Sequence, residues 1–107
     1  MIFNQYDVIV VNLDPTIGSE IKKTRPCLII SPNEMNRYLN TLVIAPITSA
    51  SKNYPTRVEI DLKSQISQVA LDQIRTIDKQ RVIKTLSNLT VQEIINVKSV
   101  LRETYVD

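Results

Sequence analysis

Arg25 stands beside Pro26 and directly ahead of the apolar run Cys27-Leu28-Ile29-Ile30. A guanidinium at the foot of a strand is held by the sheet yet aimed at the polar, cationic loop before it. That loop, residues 14–24, carries the only glycine of the chain, Gly18. A planar, permanently charged fork in such a place can take two anionic oxygens at once, so it suits gripping a phosphate. The structural alternative is an arginine that pairs with Glu20 or Asp14. Thr48 ends a second apolar run, after Pro46-Ile47. Its hydroxyl is expected at the same end of the sheet as Arg25, unless it bonds its own backbone as turn hydroxyls commonly do.

Other polar groups flank these two. Glu20 could act as a base or contact a ligand, or could hold Lys22 or Lys23. The two lysines would add phosphate attraction, or form an ordinary solvated surface. Gly18 marks a position that needs a positive φ or a close approach by a ligand backbone. Tyr54, in the loop Ser51-Lys52-Asn53-Tyr54-Pro55, is the one aromatic well placed for stacking on a splayed base. Arg75 is expected to organise the fold through Asp78.

What is missing narrows the chemistry further. The chain has no histidine and a single cysteine, Cys27, inside an apolar run. A Ser-His-Asp or Cys-His relay cannot be built from it, nor can a paired-imidazole acid and base. A zinc site is not expected, and no other metal or cofactor is called for. Cys27 reads as a buried small hydrophobe. Any chemistry must come from Arg, Lys, Asp, Glu, Ser, Thr or Tyr.

The elements that must position these groups are mostly strands. In 107 residues, 43% are hydrophobic, enough for the core of one small domain, taken as residues 1–107. Strands are predicted over residues 6–13, 26–31, 41–45, 56–60 and 67–71, with weaker extended stretches at 73–76 and 81–86. Prolines and Asn or Asp punctuate them, and the tight turns are expected to rely on those residues in place of glycine. Short helical turns are predicted at 33–38 and 78–81. Thr90-Val91-Gln92-Glu93 is a capping-box pattern that opens one convincing helix. Its apolar face is read as Val91, Ile94, Ile95, Val97, Val100, Leu101 and Tyr105. The whole is a small β-barrel or strongly bent sheet with a terminal helix over one opening or face.

Bulk charge says little about partners, since 13 basic and 11 acidic residues leave a net +2. Binding a polyanion would rest on local placement of cations. No stretch approaches the ~20 apolar residues that a membrane span needs. The start Met1-Ile2-Phe3-Asn4-Gln5 lacks the features of a signal peptide, so the expected location is the cytoplasm.

Thr24-Arg25-Pro26, Pro46-Ile47-Thr48-Ser49 and Gln73-Ile74-Arg75-Thr76-Ile77-Asp78, in that order, resemble the MazF/PemK family of toxin endoribonucleases. Asp7 to Asp14, Asn36-Arg37 and Pro55-Thr56 with the following Val58-Glu59 extend the resemblance over essentially the whole chain. It implies an SH3-like barrel that forms a two-fold dimer and cuts single-stranded RNA without metal. The implied products carry a 2′,3′-cyclic phosphate and a 5′-hydroxyl, and a cognate antitoxin would block the reaction. It implies that Arg25 and Thr48 are catalytic. Substrate contacts fall on Thr16, Gly18, Ser19, Glu20, Lys22, Ser49, Tyr54, Asp72 and Gln73. One branch of the family uses an arginine and an aspartate separated by one residue. Here Asp72 matches the aspartate but Ala70 stands where the arginine would be, which leaves Arg25 with Thr48 as the better pair. Tyr6 occupies a position where relatives generally have glycine. The alternative readings are a nucleic-acid-binding barrel without catalysis and a gyrase poison on the same fold. The latter depends on a tryptophan near the C-terminus, and this chain has none.

Overall fold

A computed structural model describes residues 1–12 and 24–106. Seven strands and two helices follow in the order β1 (Asp7–Asn12), β2 (Thr24–Ile29), α1 (Asn33–Tyr38), β3 (Thr41–Thr48), β4 (Arg57–Leu62), β5 (Gln65–Ala70), β6 (Arg75–Asp78), β7 (Val82–Asn88) and α2 (Val91–Tyr105). Short 3-10 turns, Leu71–Gln73 and Lys79–Arg81, bracket β6. The expected mostly-β fold with a C-terminal helix is what forms. All the ladders are antiparallel, in the order β4-β5-β3-β2-β1-β7, with β6 also on β3.

The central strand explains where a site can open. One edge of β3 pairs with β2 through Ile44, Ala45 and Pro46. Its other edge changes partner, pairing with β6 from Thr41 to Ile44 and with β5 at Ile47 and Thr48. Pro46 lies between those two stretches, where no ladder bond to β5 or β6 is needed and a missing N–H is tolerated. The turn Leu71–Gln73 carries the chain across the same gap from β5 to β6.

Alternate side chains of the sheet enter two cores. Val8, Leu28, Ala45, Ile47, Val58, Ile60, Val69 and Leu71 gather on one face with Tyr6, Leu89 and Val97. Ile9, Val11, Cys27, Ile29, Leu42, Ile44 and Ile77 gather on the other. Burial on both faces is why β1 and β2 read as continuous apolar runs. Each fully buried Ile, Leu or Val is worth about 1.5–3 kcal/mol relative to exposure.

Helix α2 closes the first core with Val97, Ile94, Val100 and Leu101. Val91 and Ile95, read from the sequence as part of that face, are 75% and 52% exposed. The buried stripe is therefore narrower than the apolar spacing suggested. The capping box forms: the Glu93 amide donates to Thr90 Oγ1 (3.2 Å) and the Thr90 amide donates to Glu93 Oε1 (2.9 Å). Glu93 Oε2 also accepts from the Asp61 amide on β4 at 2.8 Å. Tyr105, at the last turn, donates its hydroxyl to the Leu71 carbonyl at 2.5 Å.

Helix α1 falls where the sequence placed it, and a buried polar knot fixes it. Ser31 Oγ donates to Asn36 Oδ1 (2.5 Å), Asn36 Nδ2 donates to the Ser31 carbonyl (2.9 Å), and the Val43 amide donates to Ser31 Oγ (3.1 Å). Lys79 adds a bond from Nζ to the Asn36 carbonyl. Such a network holds because every member has a partner.

Two expectations need correction. Among the described residues the positive-φ positions are Tyr6, Lys63 and Ser64, not Asn or Asp. Leu62 pairs with Gln65, so Lys63-Ser64 is a two-residue hairpin loop with both residues left-handed, a type I′ geometry. Tyr6 does adopt the left-handed conformation that glycine would favour, at φ 71°. Its ring in the core and its amide bond to the Ile29 carbonyl (2.8 Å) offset that cost. The second correction concerns Arg75, which makes no ion pair with Asp78. The Asp78 carboxylate instead accepts from the Gln80 amide at 2.8 Å and caps the turn Lys79–Arg81.

Candidate active site

Strand β2 presents Arg25 from an exposed position opposite Val11, two residues before buried Cys27. Arg25 makes no ion pair among the described residues. Thr48 ends β3 opposite Gln68, and its Oγ1 accepts from the Ala50 amide at 3.1 Å. The backbone-bonding reading of Thr48 is thus correct, and it leaves the hydroxyl proton free to donate elsewhere.

Arg25 and Thr48 meet as a shared wall between two clefts. The larger, about 300 Å³, is lined by Thr24, Pro26, Ile47, Ser49, Gln65 and Ser67 besides the shared pair. The smaller, about 150 Å³, is lined by Pro46, Ala50, Lys52, Arg57, Ala70 and Gln73 together with the same pair. Pro46, Ala70 and Gln73 are the residues at the partner change of β3. The second cleft opens at that interruption of the sheet.

Lys52 reaches the smaller cleft from the loop between β3 and β4, which a side chain holds in place. Gln68 Oε1 accepts from the Lys52 amide (3.1 Å) while Gln68 Nε2 donates to the Lys52 carbonyl (3.0 Å). The buried amide therefore pairs with the loop as an adjacent strand would. Arg57 enters from β4 opposite Ala70, whose small side chain leaves room for a guanidinium.

Asp72 fixes that guanidinium. Its Oδ1 accepts from Arg57 Nε at 2.9 Å and from Thr56 Oγ1 at 3.0 Å. Desolvation is the largest single influence on this carboxyl and pushes its pKa up. Hydrogen bonds from Arg57, its own amide and Thr56, with the Arg57 charge, together outweigh it and hold Asp72 below the usual carboxylate value. The Arg57 guanidinium also lies 5.3 Å from the centroid of the Tyr54 ring.

Of the residues expected to touch substrate, the fold brings Arg25, Thr48, Ser49 and Gln73 to the two clefts. Tyr54 and Asp72 are not among the residues that line the clefts, and both contact Arg57, which lines the smaller one. Thr16, Gly18, Ser19, Glu20 and Lys22 lie outside the described residues. Sequence reasoning missed Arg57, Lys52, Gln65 and Ser67 as cleft-lining residues, and Gln68 as the side chain that holds Lys52. The alternation of residues 56–60 was a signal for Arg57, since it put that side chain on the face opposite Val58.

Cys27 sits beneath Arg25, fully buried, and its Sγ contacts the Arg25 carbonyl at 3.7 Å. Burial pushes its thiol up to about 11, against the opposing charges of Arg25 and Arg75. Inert packing is the role that fits.

Known proteins resemble this chain in sequence and in fold. The chain is 40% identical over 95 residues to endoribonuclease EndoA of Bacillus subtilis (strain 168), covering 83% of this chain and 82% of that protein. It is 37% identical over 101 residues to endoribonuclease MazF of Staphylococcus epidermidis, covering 89% and 84%. Its fold superposes with a TM-score of 0.80 on an endoribonuclease in complex with its cognate antitoxin from a mycobacterial species, at 22% identity over 94% of this chain and 91% of that one. Residues 4–105 match the family described as PemK-like, MazF-like toxin of type II toxin-antitoxin system. The chain belongs to the PemK-like, MazF-like toxin family of type II toxin–antitoxin systems.

Proposed function

We propose that this chain is a sequence-specific endoribonuclease that cuts single-stranded RNA without a metal and acts as the toxin of a toxin–antitoxin pair. The observation that carries this is the shared wall of Arg25 and Thr48 between two clefts. A strand laid across that wall would put one phosphodiester against a guanidinium and a hydroxyl donor, with neighbouring nucleotides on either side. In the reaction the 2′-oxygen bonds to phosphorus, the bond from phosphorus to the 5′-oxygen breaks, and one proton passes in net from the 2′-hydroxyl to the leaving oxygen. The products are a 2′,3′-cyclic phosphate and a 5′-hydroxyl. Arg25 and Thr48 stabilise the charge that grows on the phosphoryl oxygens. Ser49 and Gln73, with Thr16, Gly18, Ser19, Glu20 and Lys22 of the segment before β2, contact the substrate. Tyr54 and Asp72, which also contact Arg57, complete the substrate contacts.

The identity to EndoA and MazF supports the reaction class. The antitoxin-bound mycobacterial structure supports an antitoxin partner for this chain as well. The working form we propose is a cytoplasmic homodimer. The test is incubation of the purified chain with a weakly structured RNA in the presence of EDTA, alongside Arg25→Ala and Thr48→Ala. Discrete fragments with 5′-hydroxyl ends are expected from the wild type, with each variant slower by about 100-fold or more. RNA that stays intact over a broad range of sequences would overturn the reading.

A further inference from the structure

We infer that Arg57 is a phosphate-binding residue of the smaller cleft and grips the backbone phosphate next to the one that is cut. The inference rests on the endoribonuclease reading above. Its starting point is a guanidinium that is fixed but only half used. The Arg57 side chain is 8% exposed, and only its Nε is engaged, by Asp72. Among the described residues neither Nη1 nor Nη2 has a hydrogen-bond partner. No side-chain nitrogen or oxygen of those residues is buried without a partner, so both Nη groups keep access to solvent, and Arg57 lines the cleft. A guanidinium clamped at Nε keeps the two-pronged edge that best matches a phosphate.

The surroundings select for an anion. Arg25, Lys52 and Arg57 line a cleft of about 150 Å³, and the carboxylate paired with Arg57, Asp72, is bound on its Nε side. The Tyr54 ring and the Asp72 clamp restrain the guanidinium before substrate arrives, so little rotamer entropy is left to lose on binding. The larger cleft differs in kind. Among the described residues its lining is uncharged apart from Arg25, with Thr24, Ser49, Gln65 and Ser67 beside Ile47 and Leu62. A strand crossing the wall would leave a phosphate on the cationic side and present a base to the neutral hydrogen-bonding side.

The test is binding of a mixed-sequence single-stranded RNA, 2′-O-methylated throughout so that it cannot be cut. Affinity is measured from low to moderate salt for wild type, Arg57→Gln, Arg57→Lys and Lys52→Gln. Loss of one phosphate contact to a single strand makes the slope of log K against log salt shallower by about 0.7. Arg57→Gln is expected to show that change for every sequence, with affinity lower by about tenfold, and Arg57→Lys to recover the slope. Lys52→Gln, on an exposed side chain, reads the same cleft even if Arg57→Gln folds poorly. An unchanged slope in both glutamine variants, with normal wild-type binding, would overturn the phosphate assignment and leave the ribonuclease reading standing. Absence of any salt-dependent wild-type binding would overturn both.

Discussion

The Tyr105 hydroxyl and the Leu71 carbonyl, joined by a 2.5 Å hydrogen bond, tie the last turn of α2 to the short helix that carries Asp72 and Gln73. The C-terminal helix therefore does more than cover a core. Tyr105→Phe keeps the ring and removes only this bond, which is worth about 1 kcal/mol. A fall in Tm of about 5 °C is expected by calorimetry. Faster hydrogen exchange is expected at the amides of residues 71–73. A uniform loss of protection across the domain would show that the bond does not act locally.

Asp72 sets a pH dependence. Its pKa is held down in the folded chain by the bonds from Arg57 and Thr56, against desolvation. The sign follows from linkage: a carboxyl whose folded pKa is depressed contributes stability that is complete above its unfolded value, about 3.9, and is lost as pH falls through the folded value. The difference in Tm between wild type and Asp72→Ala should be constant from about pH 5 to 8 and should shrink below about pH 4. The side chain is 33% exposed, so solvent screening keeps the effect small. A difference that grows on acidification would contradict the assignment.

The hairpin between β4 and β5 turns on Lys63 and Ser64, at φ 50° and 68°. Residues with a Cβ pay roughly 1–2 kcal/mol in the left-handed region, and type I′ turns favour Asn-Gly. The double substitution Lys63→Asn, Ser64→Gly should raise stability by about 1 kcal/mol in urea unfolding, with the slope unchanged. A loss of stability would mean that the two native side chains make compensating contacts.

Cys27 should resist alkylation. With the thiol buried and raised to about 11, iodoacetamide at pH 8 is expected to leave the native chain unmodified and to label it fully in denaturant. Rapid labelling of the folded chain would indicate that the sheet opens at β2.

The parts of this fold that could be read from the sequence are those governed by neighbours in the chain. Thr90 and Glu93 are three residues apart and cap a helix by a local rule. The resemblance singled out Arg25 and Thr48, which the fold brings to the same two clefts, and both sit at ends of strands that apolar runs make easy to see. Arg57 escaped notice because its meaning depends on Asp72, 15 positions away, and on Ala70 standing opposite in the ladder. Gln68 was hidden for the same reason, since nothing in its sequence neighbourhood says that its amide will pair with Lys52. Val91 and Ile95 misled in the opposite direction. Helical spacing marks a face as apolar, but the width that is actually covered is set by what packs against it.

Glu93 has a role at the outer rim of the sheet as well as at the start of α2. Strand β4 is a terminal strand, paired only with β5 among the described residues, so its outward amides are potential templates for an incoming strand. By accepting from the Asp61 amide, the carboxylate of Glu93 occupies one of those positions with a negative charge and a helix behind it. A chain with alanine at this position would lose the carboxylate half of its capping box and, in the same step, its guard against strand-to-strand aggregation.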